Sequence, residues 1–247
     1  MCKPLVRIVA AYSCWMLLAV LVAPSLCSAS GSYGIDQGVS LAELLDGGFI
    51  VAGDKRFSDF DYNLAKGNLQ PQDIMVTGIY DNVINGYGLL FSGDFVAGGL
   101  SSPLKYEAGL AFTVTALDPA FVISDVHLDG TINVRGTGDA QIVESFTGVN
   151  VPSLSIYEVR LNGELIASKT SDDILFPDAL GVTGFRSMRV LKDINLEAGE
   201  NYPFDKAEVT TFQQVFTQRP IIPEPSSFTL LLGVGASLAC GMRRRLR

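Results

Sequence analysis

No cysteine lies between Cys27 and Cys240, and the other two, Cys2 and Cys14, sit in the first hydrophobic segment. The body of the chain therefore has no disulfide, no thiolate metal site and no cysteine nucleophile. Histidine is nearly absent too: His127 stands alone, which excludes a multi-histidine metal centre and leaves any triad dependent on one imidazole. The one tryptophan, Trp15, belongs to the N-terminal segment, so the body carries no tryptophan platform for stacking a sugar ring. There is no G-x-S-x-G elbow and no D-x-[DN]-x-[DN]-G calcium loop. GTGDAQ and GVGASLACG imitate fragments of nucleotide loops, but neither joins a strand to a helix in a βαβ unit. Basic residues are scarce where they would matter for phosphate: residues 30–220 hold 12 basic against 25 acidic groups, a net of −13. Such a surface repels nucleic acid.

What is present begins with the two ends. Lys3 and Arg7 precede an apolar run at residues 14–23 (CWMLLAVLVA), and Cys27-Ser28-Ala29 offers small residues for signal peptidase, so residues 1–29 read as a signal peptide cleaved after Ala29. Bulky Leu26 before Cys27 argues against a lipobox. At the other end residues 228–242 (FTLLLGVGASLACGM) carry no charge. As a helix they would span roughly 22 Å at 1.5 Å per residue, short of the ~30 Å hydrocarbon core, so crossing relies on flanking residues or local thinning. Phe228, Leu230, Leu231, Leu232, Val234 and Leu238 supply the apolar surface of this expected transmembrane helix. Arg243, Arg244, Arg245 and Arg247 follow, and the positive-inside rule holds them in the cytoplasm. Gly233, Ser237 and Gly241 recur every four residues as a small-residue stripe. Pro223-Glu224-Pro225 precedes the helix as an extended, exposed strap.

Pro-Glu-Pro, a hydrophobic segment and a terminal arginine cluster, in that order, closely resemble the PEP-CTERM sorting tail of exported proteins in bacteria that make exopolysaccharide. The resemblance covers about the last twenty-five residues. It implies recognition of Pro223, Glu224 and Pro225 by exosortase, an integral-membrane protease or transpeptidase-like enzyme. Tail removal and residence at the cell surface or in the extracellular matrix would follow.

Between the ends the chain reads as short strands separated by turn residues, with little helical period. Leu110, Phe112 and Val114 alternate with smaller or polar neighbours, whereas residues 209–216 alternate less cleanly, as a strand packed on both faces or near an edge would. Asn162-Gly163 and Asp129-Gly130 each supply a hairpin turn. Further strands are expected at QDIMVTGIY, YGLLFSGDFVA, FVISDVHL, DAQIVESF and MRVLKDINLEA. One short helix is expected after Ser40, with Glu43 at capping-box spacing, Leu41, Leu44 and Leu45 sharing a face, and Gly47-Gly48 as the stop. Some nine to eleven strands without intervening helices predict a mainly β fold, an antiparallel β-sandwich of jelly-roll type over residues 30–219, with the sorting tail at 220–247. GDKRFSDFDYN and the strand stretches after it also resemble a recurring PEP-CTERM cargo domain of cyanobacteria and planctomycetes. Asp54, Lys55, Phe57 and Phe60 fit its Asp-Lys-x-Phe-x-x-Phe start, and that resemblance implies no chemistry.

His127 shares strand parity with Asp125 and Ile123 and reads as a surface or rim residue. Asp59 and Asp61 fall on one strand face, Asp172 and Asp173 in a loop that is a weak calcium candidate, and Asp36, Asp46, Asp54 and Asp81 near turns. Tyr80, Tyr87, Tyr106, Tyr157 and Tyr202 are the aromatic groups available for a sugar. No catalytic residue, metal site or cofactor is assigned. The sequence thus predicts an exported structural or adhesive protein whose partners are signal peptidase, exosortase, the membrane and matrix exopolysaccharide. A carbohydrate-binding module is the first alternative and a secreted hydrolase built on two carboxylates the second.

Overall fold

The computed structural model describes residues 31–100, 102–201 and 204–221. The signal segment with Ala29, the Pro-Glu-Pro strap, the apolar run and the arginines all lie outside them, as does Tyr202. Among the described residues no helix is long and apolar enough to cross a membrane.

Two sheets hold nearly all of the described chain. The first has eight strands in the spatial order β1 (Ser32–Tyr33), β3 (Phe49–Ala52), β4 (Lys55–Lys66), β7 (Lys105–Ala116), β13 (Ser187–Ala198), β9 (Gly138–Thr147), β10 (Leu154–Leu161) and β11 (Glu164–Lys169). The second has six, ordered β12 (Ser171–Leu175), β8 (Phe121–Arg135), β14 (Lys206–Pro220), β6 (Gly86–Gly98), β5 (Met75–Asp81) and β2 (Gly38–Ser40). Named strands pair antiparallel except β1 with β3, which run parallel. The fourteen strands exceed the expected number because β1, β2, β3 and β12, of two to five residues, are too short to show a period. The expected helix is α1 (Leu41–Leu45): Ser40 Oγ accepts from Glu43 N at 3.4 Å, and Leu41 and Leu44 are buried. A second single turn, α2 (Phe176–Leu180), has Pro177 in its first turn and Gly181 in the left-handed conformation at its end.

The inner faces of the two sheets meet in one aromatic core. Phe112 of the first sheet lies 6.1 Å from Phe57 and 5.9 Å from Phe60 on its own side, and 5.9 Å from Phe91 and 6.4 Å from Phe216 of the other sheet. Phe91 in turn stacks on Phe212 at 4.9 Å. Tyr106, Phe112, Val114 and Ala116 of β7 are fully buried, the alternation its sequence foretold.

Two bulges explain where alternation misleads. In a regular strand Phe57 and Phe60, three apart, would point to opposite faces, yet both are buried. The register steps from Ser58↔Thr113 to Asp61↔Ala111, so Asp59 and Phe60 together oppose Phe112. Asp59 takes φ 54, a left-handed conformation that aspartate tolerates better than most residues. The Phe-x-x-Phe spacing is therefore the mark of a bulge that aims two rings at Phe112. We expect Asp59→Gly to keep the fold within about 1 kcal/mol of the parent, and Asp59→Val to cost about 1–3 kcal/mol because a β-branched residue resists positive φ. Chemical denaturation of the two variants checks this. In β14 the extra residue is Thr210: Ala207 and Val209 face inward before it, Phe212, Gln214 and Phe216 after it. That shift explains the blurred alternation in a strand which is central in its sheet.

The hairpin at Asn162-Gly163 forms, with φ 51 and 84 at the two residues and the pair Leu161↔Glu164 flanking them. Asp129-Gly130 makes no turn. β8 runs through it unbroken, and Gly130 leaves room for its neighbours: a Cβ there would sit 2.5 Å from Ile156 Cδ1, which would have to shift, and 3.3 Å from Phe212 Cβ. A hairpin unforeseen in the sequence instead joins β3 to β4 through Gly53-Asp54, with Gly53 at φ 56 and Tyr87 packed where its Cβ would be.

Candidate functional site

Three strands carry one polar residue each in an otherwise apolar inward row. In β13 the row is Met188, Val190, Lys192, Ile194 and Leu196; in β9 it is Ala140, Ile142, Glu144 and Phe146; in β14 it is Phe212, Gln214 and Phe216. Register places Lys192 directly opposite Glu144 within the first sheet, and β14 brings Gln214 against them from the second. Lys192 Nζ donates to Glu144 Oε2 and to Gln214 Oε1, while Gln214 Nε2 donates to the His127 carbonyl at 3.0 Å. Lys192 is 2 % exposed, Glu144 and Gln214 not at all.

Electrostatics in this place run against charge. Burial pushes the Glu144 carboxyl above the usual carboxylate range, opposed by Lys192, and pushes the Lys192 ammonium below the usual lysine range, opposed by Glu144. Among the described residues Glu144 Oε1 finds no hydrogen-bond partner, and the Phe212 ring lies 5.6 Å from Nζ. The arrangement is an amine that touches both a carboxyl and a carboxamide away from water. Sequence reading passed over it although the signal was there, a polar residue in the buried phase of each of three strands. What it could not supply was which strands face one another.

A polar cleft of about 720 Å³ opens on the surface, lined among others by Asn68, Asp73, Asp94, Arg135, Lys206 and Glu208. Glu208 accepts from Lys206 Nζ and from Asn133 Nδ2 at 2.7 Å. Partial burial would raise its pKa, but these bonds outweigh that and hold the carboxyl below its ordinary value, so it stays ionised. No aromatic side chain is among the lining residues described.

The residues singled out in the sequence fall elsewhere and are mostly engaged. His127 Nε2 lies 3.3 Å from Asp125 Oδ1, and the pairing with Asp125 holds the imidazole pKa above its ordinary value against the effect of burial. Asp125 also accepts from Thr217 N at 3.1 Å, and no hydroxyl is bonded to His127 Nε2 among the described residues. Ile123, by contrast, is fully buried, because the β8–β14 register shifts between Thr217 and Gln218. Asp172 and Asp173 lie in strand β12 and not in a loop. Asp172 accepts from Ser155 N at 2.8 Å and pairs with Lys169 at 2.6 Å, so its oxygens tie β12 to β10. Asp61 is exposed, at 3.8 Å from Arg189, whose Nη1 donates to the Asp59 carbonyl. Asp81 caps its own turn through Val83 N and Ile84 N. Asp54 pairs at 2.6 Å with Lys55, which is 1 % exposed and has its pKa lowered by burial against the pull of Asp54. The Asp-Lys-x-Phe-x-x-Phe start is thus a structural unit: a buried lysine paired with a partly exposed aspartate, then the bulge.

Of the tyrosines, Tyr106 is buried and bonded to Tyr62 at 2.8 Å, whereas Tyr80 is exposed and rests 5.0 Å from the Tyr87 ring. Among the described residues no three His, Cys, Asp or Glu side chains are grouped so as to hold a metal ion.

No family model and no curated protein matches this sequence. Among solved structures it is similar to the enzymatically active domain of tailspike protein 4 of bacteriophage CBA120, at 9% identity and a TM-score of 0.27, over 62% of this chain and 19% of that one. A family two carbohydrate esterase from Cellvibrio japonicus aligns at 12% identity and a TM-score of 0.21, over 68% of this chain and 37% of that one. The family 11 carbohydrate-binding module from Clostridium thermocellum, solved with a β-1,3-1,4-mixed-linked tetrasaccharide, aligns at 10% and 0.21, over 65% of this chain and 95% of that one. The chain spans about a fifth of the tailspike domain and just over a third of the esterase. Scores this low carry no functional argument.

Proposed function

We propose that the chain is the precursor of an exported structural or adhesive protein of the cell surface or exopolysaccharide matrix. Residues 1–29 direct export and are removed by signal peptidase. Residues 30–219 fold as a jelly-roll-like β-sandwich that performs no reaction on an external substrate. Residues 220–247 hold the precursor in the membrane through one short helix until exosortase acts at Pro223-Glu224-Pro225. The observation that carries this reading is the way the body ends. β14 makes its last pair at Pro220↔Phe121, Ile221 N donates to the Ala120 carbonyl at 2.8 Å, and every buried core residue described lies between Val39 and Phe216. The two sheets and the aromatic core between them are assembled upstream of Pro223, as a detachable address requires. The test is fractionation of the producing cells. The parent should be found in envelope or matrix fractions, and a Pro223→Ala/Pro225→Ala variant should accumulate with the inner membrane. Equal distribution of the two would contradict the assignment of the motif.

A second reading, a carbohydrate-binding module for matrix polysaccharide, rests on the polar cleft, whose amide, carboxylate and guanidinium groups suit hydroxyl-rich ligands. Glycan screening of the full chain against an Asp94→Ala variant decides it: binding lost in the variant supports this reading. A hydrolytic role for Asp73, Asp94 and Glu208 gains little from the geometry, since Glu208 is held ionised by its partners and so is poorly placed to donate a proton.

A further inference from the structure

We infer that Lys192 and Gln214 become joined by an isopeptide bond, with Glu144 as the proton relay, so that the two sheets are covalently fastened through the core. The groups required are all present in one place. Lys192 Nζ touches Gln214 Oε1 and Glu144 Oε2, and all three side chains are sealed from solvent. The orientation of the carboxamide is fixed independently: the His127 carbonyl can only accept, so the atom 3.0 Å from it is Nε2, and Oε1 faces the amine. The electrophilic carbon is one bond beyond the oxygen that Nζ contacts, so the two reacting groups are held next to each other. An ion pair alone would need no carboxamide. A carboxamide packed for hydrogen bonding alone would need no buried lysine.

The step balances without any co-reactant. With the pair in its neutral form, the proton resides on Glu144 and the Lys192 amine has a free electron pair. The nitrogen attacks Cδ of Gln214 as Glu144 gives its proton to the developing oxyanion. The carboxyl then takes a proton from the attacking nitrogen and delivers one to the departing Nε2. The C–Nε2 bond breaks, ammonia leaves, and the hydroxyl formed from the oxyanion returns its proton to Glu144 as it becomes the carbonyl of the Cδ–Nζ amide, leaving the carboxyl protonated again. Nothing is oxidised or reduced. Burial favours the neutral forms of both partners, which is the state the attack needs. The rival link, Lys192 to Glu144 with loss of water, would leave Gln214 as the relay, and a carboxamide has no titratable proton to pass. The product bridges β13 and β14, consecutive strands in opposite sheets, and closes the connection between them across 22 positions. It is a cross-link in a body that has no cysteine to make one.

Peptide mapping of the purified full chain by mass spectrometry after denaturation and trypsin digestion tests it. The expected result is a branched species joining the Lys192 peptide to the Gln214 peptide, lighter than their sum by one ammonia and uncut after Lys192. Glu144→Gln should yield the two peptides unlinked, with the parental far-ultraviolet circular dichroism. Recovery from the parent of separate peptides, cleaved after Lys192, would overturn the proposal. A link to Glu144 with loss of water would overturn it as well. A bond that persists in Glu144→Gln would remove Glu144 from the relay. Because the parental digest decides the bond by itself, a variant that fails to fold leaves the test intact.

Discussion

Phe112→Ala is expected to lower the unfolding free energy by about 3–5 kcal/mol, the cost of deleting a large aromatic side chain from a closed core. The reason is position. The ring has no exposed surface and contacts Phe57 and Phe60 from the bulged β4 on its own sheet, and Phe91 and Phe216 from the facing sheet. Truncation opens a cavity that these rings, each held by further neighbours such as Phe212, cannot close without leaving their rotamers. Urea denaturation reads the effect as a lower midpoint at an unchanged slope. A loss below about 1 kcal/mol, the range of surface substitutions, would mean that the two inner faces do not meet at this ring.

In a Gln214→Leu background, where the Lys192–Gln214 bond cannot form and the lysine stays a free amine, Lys192→Met should cost a comparable amount, about 3–5 kcal/mol near neutral pH, because it leaves Glu144 buried without its Lys192 partner. Its signature is the pH dependence. Burial already raises the Glu144 pKa, and Lys192 is what pulls it down, so the substitution moves the folded-state value further up. A carboxyl whose folded pKa is raised contributes stability that is present below its unfolded value and lost as pH rises through the folded one. The deficit of Lys192→Met/Gln214→Leu against Gln214→Leu should therefore be small in acid and grow from the ordinary carboxylate range upward. Denaturation midpoints across that window check it. A deficit independent of pH would mean that Lys192→Met loses packing alone and that Glu144 reaches solvent or another donor.

These two predictions also mark where the sequence was informative. Phe112 sits in a strand whose buried row could be read directly, because β7 runs without a bulge. Asn162-Gly163 could be read because both residues must adopt positive φ, whereas Asp129-Gly130 presents a similar turn dipeptide for a different reason, the room Gly130 leaves for Ile156. Phe57 and Phe60 were identifiable as a pair, but their common direction depends on Asp59, whose left-handed backbone no periodicity announces. Lys192, Glu144 and Gln214 each violate the apolar row of their own strand. That violation is local and visible, while their convergence follows from strand order, with β13 beside β9 and β14 opposite, and strand order is a property of the whole chain. Asp172 shows the reverse error: two adjacent acids suggested a solvated loop, and backbone pairing with β8 plus Ser155 made them part of an edge strand.

The most direct test of the account is the C-terminal peptide of the native protein, identified by mass spectrometry in producing cells with and without the exosortase. The account predicts an end at or near Pro223-Glu224-Pro225 that depends on the enzyme, with the sandwich through Ile221 intact. A native chain that still ends at Arg247 in the membrane fraction, whether or not the enzyme is present, would contradict it.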